Sequence, residues 1–148
     1  MKRSLIASMI FLLCFSGAGA RAEKRETLAD LKARAERVRP EECARLCADV
    51  ARRELDEARG EFVEGRPETA RLALHDMIAF AEKATDAAIR TKKREKQLEI
   101  ELREINHRLA DLKRALAFED QPAVDAAMEQ LEKLRTRLLE HMFEKEKK

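Results

Sequence analysis

The 148-residue chain has no tryptophan and no tyrosine, and its serines stop at Ser16. Past residue 20 only two glycines remain, Gly60 and Gly65, beside three prolines, Pro40, Pro67 and Pro122. The missing serines exclude a serine nucleophile from that stretch. So few loop-forming residues leave almost no place to assemble a pocket or an oxyanion hole. Enzyme chemistry is therefore the least supported class, and neither a catalytic residue nor a cofactor is expected.

Charge of one sign is also missing. The formal excess of +2 comes from Lys2 and Arg3. Without them the chain is neutral and lacks the positive field on which nucleic-acid or anionic-membrane binding relies. Those two residues open a segment unlike the rest. Leu5 to Phe15 is an apolar run of signal-peptide length, and Ala18-Gly19-Ala20 is a small-x-small cleavage site. Residues 1–20 thus read as a signal peptide, with cleavage after Ala22 as the other choice and 21–148 as one helical domain. The run is too short to span a bilayer stably, so the membrane is met only transiently. Cys14 follows Leu12-Leu13 rather than the small residue a lipidation site needs. The expected location is outside the cytoplasm, periplasmic or secreted.

What the chain does have is charge, 41% of all residues, combined with Ala, Leu, Glu, Lys and Arg, the composition of long helices and coiled coils. An all-α fold is expected. Thr27 and Asp30 suit a capping box for a first helix to about Val38. Pro40 suits the first position of a second helix, with Glu41 and Glu42 complementing its dipole, and that helix should run to about Glu64. Gly65 and Pro67 form a tight turn into the next. Asp120 is the expected N-cap of a last helix carrying Val124, Ala127, Leu131, Leu134 and Leu138 on one face, with a fraying tail from Glu144.

From Pro67 to Phe118 no glycine or proline occurs. Alternating steps of four and three run from Ala70 through Leu74, Met77, Ala81, Ala84, Ala88, Thr91, Glu95, Leu98, Leu102, Ile105, Leu109 and Leu112 to Leu116 without losing register. This continuity favours one helix of about 50 residues, roughly 75 Å long, against whose halves the second and fourth helices fold as elongated antiparallel hairpins. The alternative is a compact up-down four-helix bundle in which the spine bends between Thr91 and Glu95. The N-terminal half is lined with Ala70, Ala81, Ala84 and Ala88 opposite Ala44, Ala48, Ala51 and Ala58, so those helices should approach closely. Two-helix hairpins rarely stabilise themselves, so either the first helix packs as a third member or a second copy of the chain completes each seam, and a homo-oligomer is the expectation.

Cys43 and Cys47 lie four apart on one helical face, in a compartment that permits disulfides. They read as small seam residues, as a disulfide within or between chains, or as a redox or metal pair. Ideal Cβ separations of about 6 Å disfavour an undistorted intrahelical bond. The spacing and Ala48 exclude a haem attachment motif. Mirroring the chain about Gly65 puts Cys47 opposite roughly Lys83, with no histidine beside it, so no metal site is expected. Glu104 and His107 have the Glu-x-x-His spacing of di-iron bundles, but Ile105 occupies the seam and the pair should be surface residues. Arg90, Lys92, Lys93, Arg94 and Lys96 form the only local charge excess: a solvated waist, or a basic docking patch for an acidic partner or headgroup.

The segment Phe62 to Leu74 is similar to a tetratricopeptide-type turn, although no repeat of about 34 residues follows it. Small helical envelope chaperones share an export signal and helical hairpins, but their Leu-Thr-x-x-Gln motif is absent here. These features lead to the expectation of a non-enzymatic interaction or scaffold protein of the cell envelope, binding a protein partner or itself through its helical seams. A periplasmic chaperone or stress-sensing protein for unfolded clients comes second, and thiol-redox or metal handling third.

Overall fold

The computed structural model describes residues 26–146, and among these residues every regular element is a helix: α1 (Leu28–Arg37), α2 (Pro40–Val63), α3 (Pro67–Thr91), α4 (Glu95–Ala115) and α5 (Gln121–Glu146). The signal peptide, its two cleavage positions and Cys14 lie outside the described residues.

Local chemistry sets most of these boundaries. The Thr27 hydroxyl oxygen accepts the Asp30 amide at 3.1 Å while its proton goes to the Asp30 carboxylate at 2.7 Å, so the first turn of α1 is capped. Pro40 and Pro67 each occupy the start of a helix, where a missing amide proton costs nothing. Gly65 ends α2 with φ +73°, a conformation that a side chain would strain. Arg66 closes the same turn by gripping Glu61 with two hydrogen bonds of 2.6 and 2.8 Å. That grip holds the Glu61 carboxyl below the usual glutamate range. α5 is described as far as Glu146, and the end of the tail expected to fray, residues 147 and 148, lies outside the described residues.

The straight spine is not what forms. The helix ends at Thr91 and restarts at Glu95, and Lys92 and Arg94 both take left-handed conformations, φ 56° and 59°. Each such residue costs about 1–2 kcal/mol when it is not glycine. Burying one leucine or isoleucine side chain contributes about 1.5–3 kcal/mol, and the fold-back buries Leu98, Leu102, Ile105 and Leu109 almost completely. Packing therefore outweighs the strained backbone. The basic run also weakens a continuous helix, because Arg90 and Arg94, or Lys92 and Lys96, would stack like charges one turn apart. Glu101 steadies the restart. Its buried carboxylate accepts hydrogen bonds from Arg94 at 3.3 Å and Gln97 at 3.2 Å.

The α2/α3 and α4/α5 hairpins pack on each other, α3 against α5 and α2 against α4. Long-range ion pairs fix their directions. Arg71 reaches Asp120 at 3.4 Å, Arg137 reaches Asp86 at 2.6 Å, and Arg108 meets Asp56. Hence α5 runs parallel to α3 and α4 parallel to α2, with both interhelical turns at one end and the 92–94 break at the other. Glu95 and His141, 2.7 Å apart, join α4 to α5 at the break end.

α1 covers the outer side of the first hairpin, burying Leu31 and Ala35. Its Lys32 reaches Glu54 on α2 and, at 2.7 Å, Asp76 on α3. Burial keeps the Glu54 carboxyl above its ordinary value despite this ammonium. Partial burial opposes the charge of Lys32, yet its hydrogen bonds to Asp76 and Glu54 leave its pKa raised. One continuous core results, and it contains Leu74, Met77, Ala81, Ala84 and Ala88 from one half of the expected spine and Leu98, Leu102, Ile105, Leu109 and Leu112 from the other.

Candidate functional site

With the seams filled by the chain's own helices, large apolar side chains stay exposed at Leu72, Ile100 and Phe143, while Val63 and Phe118 are exposed at the turn end. α2 and α4 finish there side by side. Between their last turns lies a groove of about 540 Å³, within the size range of ligand and peptide pockets. Leu55, Phe62, Leu112 and Leu116 form its apolar lining, and Val63 stands at its lip, 80% exposed. Phe118, in the turn that follows Leu116, is 85% exposed.

Three charged residues edge the groove. Arg108 is held to Asp56 and Asp111 to Arg114, so their charges are already answered. Arg59 is different: among the described residues no carboxylate lies within ion-pairing distance of it. An apolar trough with one uncommitted guanidinium at its rim is suited to binding and offers no nucleophile or acid–base pair. Sequence reasoning placed Leu112 and Leu116 on the seam and did not mark the groove. The signal was there in Val63 and Phe118, large apolar residues beside turns where burial is hard to achieve.

The thiol pair lies elsewhere, on the side of α2 that faces α1. Cys47 is fully buried and Cys43 half-buried, with their sulfurs 3.1 Å apart and unbonded. Desolvation pushes the Cys47 thiol far above its ordinary value, and the neighbouring Cys43 adds to the shift, while Lys83 works against it. Lys83, expected opposite Cys47, does belong to its surroundings, together with Glu36 at 3.5 Å from the lysine.

Arg90, Lys92, Lys93, Arg94 and Lys96 are all exposed around the α3–α4 break. Only Arg94 is engaged by a carboxylate, that of Glu101, among the described residues. Glu104 and His107 are exposed on α4, and no group of three or more metal-ligating side chains occurs among the described residues. Nor is any described helix long and apolar enough to cross a membrane. Comparison with protein-family models, with curated proteins and with solved structures finds no match.

Proposed function

We propose that the protein is an exported, non-enzymatic interaction protein of the cell envelope, and that it holds an apolar segment of a protein partner in the groove between the ends of α2 and α4. The observation that carries this reading is the groove itself: an apolar trough left open between the last turns of α2 and α4, with exposed Val63 at its lip and exposed Phe118 in the turn that follows α4. Arg59 at the rim favours a segment with a carboxylate beside its apolar residues. Export rests on the composition of residues 1–20.

The expected mode of binding through the seams moves, in this reading, to the bundle end, because Leu98, Leu102, Ile105, Leu131 and Leu138 are spent on the internal core. The alanine-lined face that a holdase would offer to unfolded clients is internal for the same reason. Self-association is no longer needed to complete a seam.

A photo-crosslinking residue placed at Val63, compared with one at exposed Thr136 on the far side of α5, tests the proposal in cells. A single adduct of defined mass at Val63, lost when Leu112→Glu charges the groove and absent at Thr136, supports it. Equal adducts at both positions, or none at either, contradict it. Suppression of aggregation of unrelated denatured proteins, without any defined adduct, would point to the chaperone role instead.

A further inference from the structure

We propose that Cys43 and Cys47 are an exchange-active dithiol, which takes a small disulfide of the glutathione type as its oxidant and closes into a disulfide within the N-terminal turns of α2. The sulfurs already face each other at 3.1 Å, and a bond requires them to approach to about 2.05 Å. In a regular helix the Cβ atoms of such a pair sit about 5–6 Å apart, more than a disulfide accepts, so one turn must tighten. The position of the pair decides whether it can. Cys43 is the fourth residue of α2, and its amide donates to Arg39 outside the helix at 3.0 Å. Pro40 has no amide proton, and Arg39 supplies no side-chain cap. The first turn can therefore rotate while breaking few helical hydrogen bonds. Cys47, fully buried against the core, is the fixed partner.

Exposure sets the order of events. Half-buried Cys43 is open to a dissolved disulfide, whereas Cys47 is reached only through Cys43. The Cys43 thiolate attacks one sulfur of oxidised glutathione, forming a mixed disulfide and releasing one glutathione thiolate, which takes up a proton. Cys47 then loses its proton and attacks the Cys43 sulfur, expelling the second glutathione. Two protein thiols are oxidised, one disulfide is reduced to two thiols, and no other reactant is needed. Burial holds Cys47 in the thiol form, so the second step is the slower one. Because the closed turn is strained, reduced glutathione reopens it readily.

The test uses the full chain with Cys14→Ser, so that the pair provides its only thiols. After oxidised glutathione, intact mass is expected to fall by two hydrogens, with no titratable thiol and monomeric mobility on a non-reducing gel. The Cys47→Ser protein should instead stay heavier by one glutathione, and the folded Cys43→Ser protein should remain unmodified. Cys47→Ala repeats the trapping test if the serine hydroxyl disturbs the core. A glutathione retained on the unsubstituted pair, a disulfide-linked dimer, or two thiols still titratable after prolonged incubation would overturn the proposal.

Discussion

The two hairpins solve the same packing problem with different side chains. Between α2 and α3 the interface is built from alanines, among them Ala44, Ala48, Ala51, Ala58, Ala81, Ala84 and Ala88, all buried. Between α4 and α5 it is built from Leu98, Leu102, Ile105, Leu109, Leu131 and Leu138. Small residues let two helices lie close but bury little area each, so the first hairpin depends on close fit and on a third helix, α1, laid over it. The leucine hairpin buries more per residue and depends on volume. Neither is complete alone, and each covers the open face of the other.

The contrast is broken most severely by truncation in the leucine layer. Leu109→Ala, at a fully buried position, is expected to cost about 2–5 kcal/mol, measured by urea unfolding. Enlargement should do the equivalent damage on the other side: Ala84→Leu forces the close α2/α3 interface apart at about 1–3 kcal/mol, read from the same transition. A loss from Ala84→Leu well below that range would mean that the alanine layer has slack.

Polar contacts sharpen the comparison, because only the first hairpin buries an ion pair beneath an added helix. Replacing Lys32 with leucine leaves the buried Glu54 carboxylate without its ammonium, at a cost of about 1–3 kcal/mol at neutral pH. Glu54 has a folded pKa above its unfolded value, and loss of Lys32 raises it further. A carboxyl raised in this way destabilises the fold when ionised, and the penalty is relieved as pH falls through the folded pKa. The gap between Lys32→Leu and the parent should therefore narrow in mildly acidic unfolding experiments. An unchanged gap would show that packing of the lysine stem, rather than charge, is what was lost.

The smallest effect has the most informative sign. Lys92→Gly relieves a left-handed residue and is expected to raise stability by about 1 kcal/mol. In an unbroken helix the same change would lower it by about 1 kcal/mol.

These comparisons show what was legible in the sequence. The heptad-like register marked Ala70, Leu74, Met77, Ala81, Ala84 and Ala88, then Leu98, Leu102, Ile105, Leu109 and Leu112, and all of them are buried. Thr27, Pro40, Gly65 and Pro67 set their boundaries by local chemistry, which a linear reading sees directly. The break at 92–94 was not legible as a necessity. No residue there forbids a helix, and the decision belongs to leucines that gain partners only when the chain folds back. Thr91 and Glu95, the polar residues on the seam, marked where it could happen. Ala73, Phe80 and Ala87 were missed as core residues because α3 packs against α2, α4 and α5, which widens its buried arc beyond one seam. The groove was hidden for a related reason, since Phe62 and Leu116 come together only through the packing of α2 on α4.

Closure of the two hairpins on each other is decided most directly by one distance. Spin labels at Glu68→Cys and Arg114→Cys, in a background of Cys14→Ser, Cys43→Ala and Cys47→Ala, place one reporter at the start of α3 and one near the end of α4. The closed bundle puts both at the turn end, giving an electron–electron distance below about 30 Å across neighbouring helices. A distance near 70 Å, the rise of an uninterrupted helix at about 1.5 Å per residue, would mean that the spine is straight and that the groove does not form.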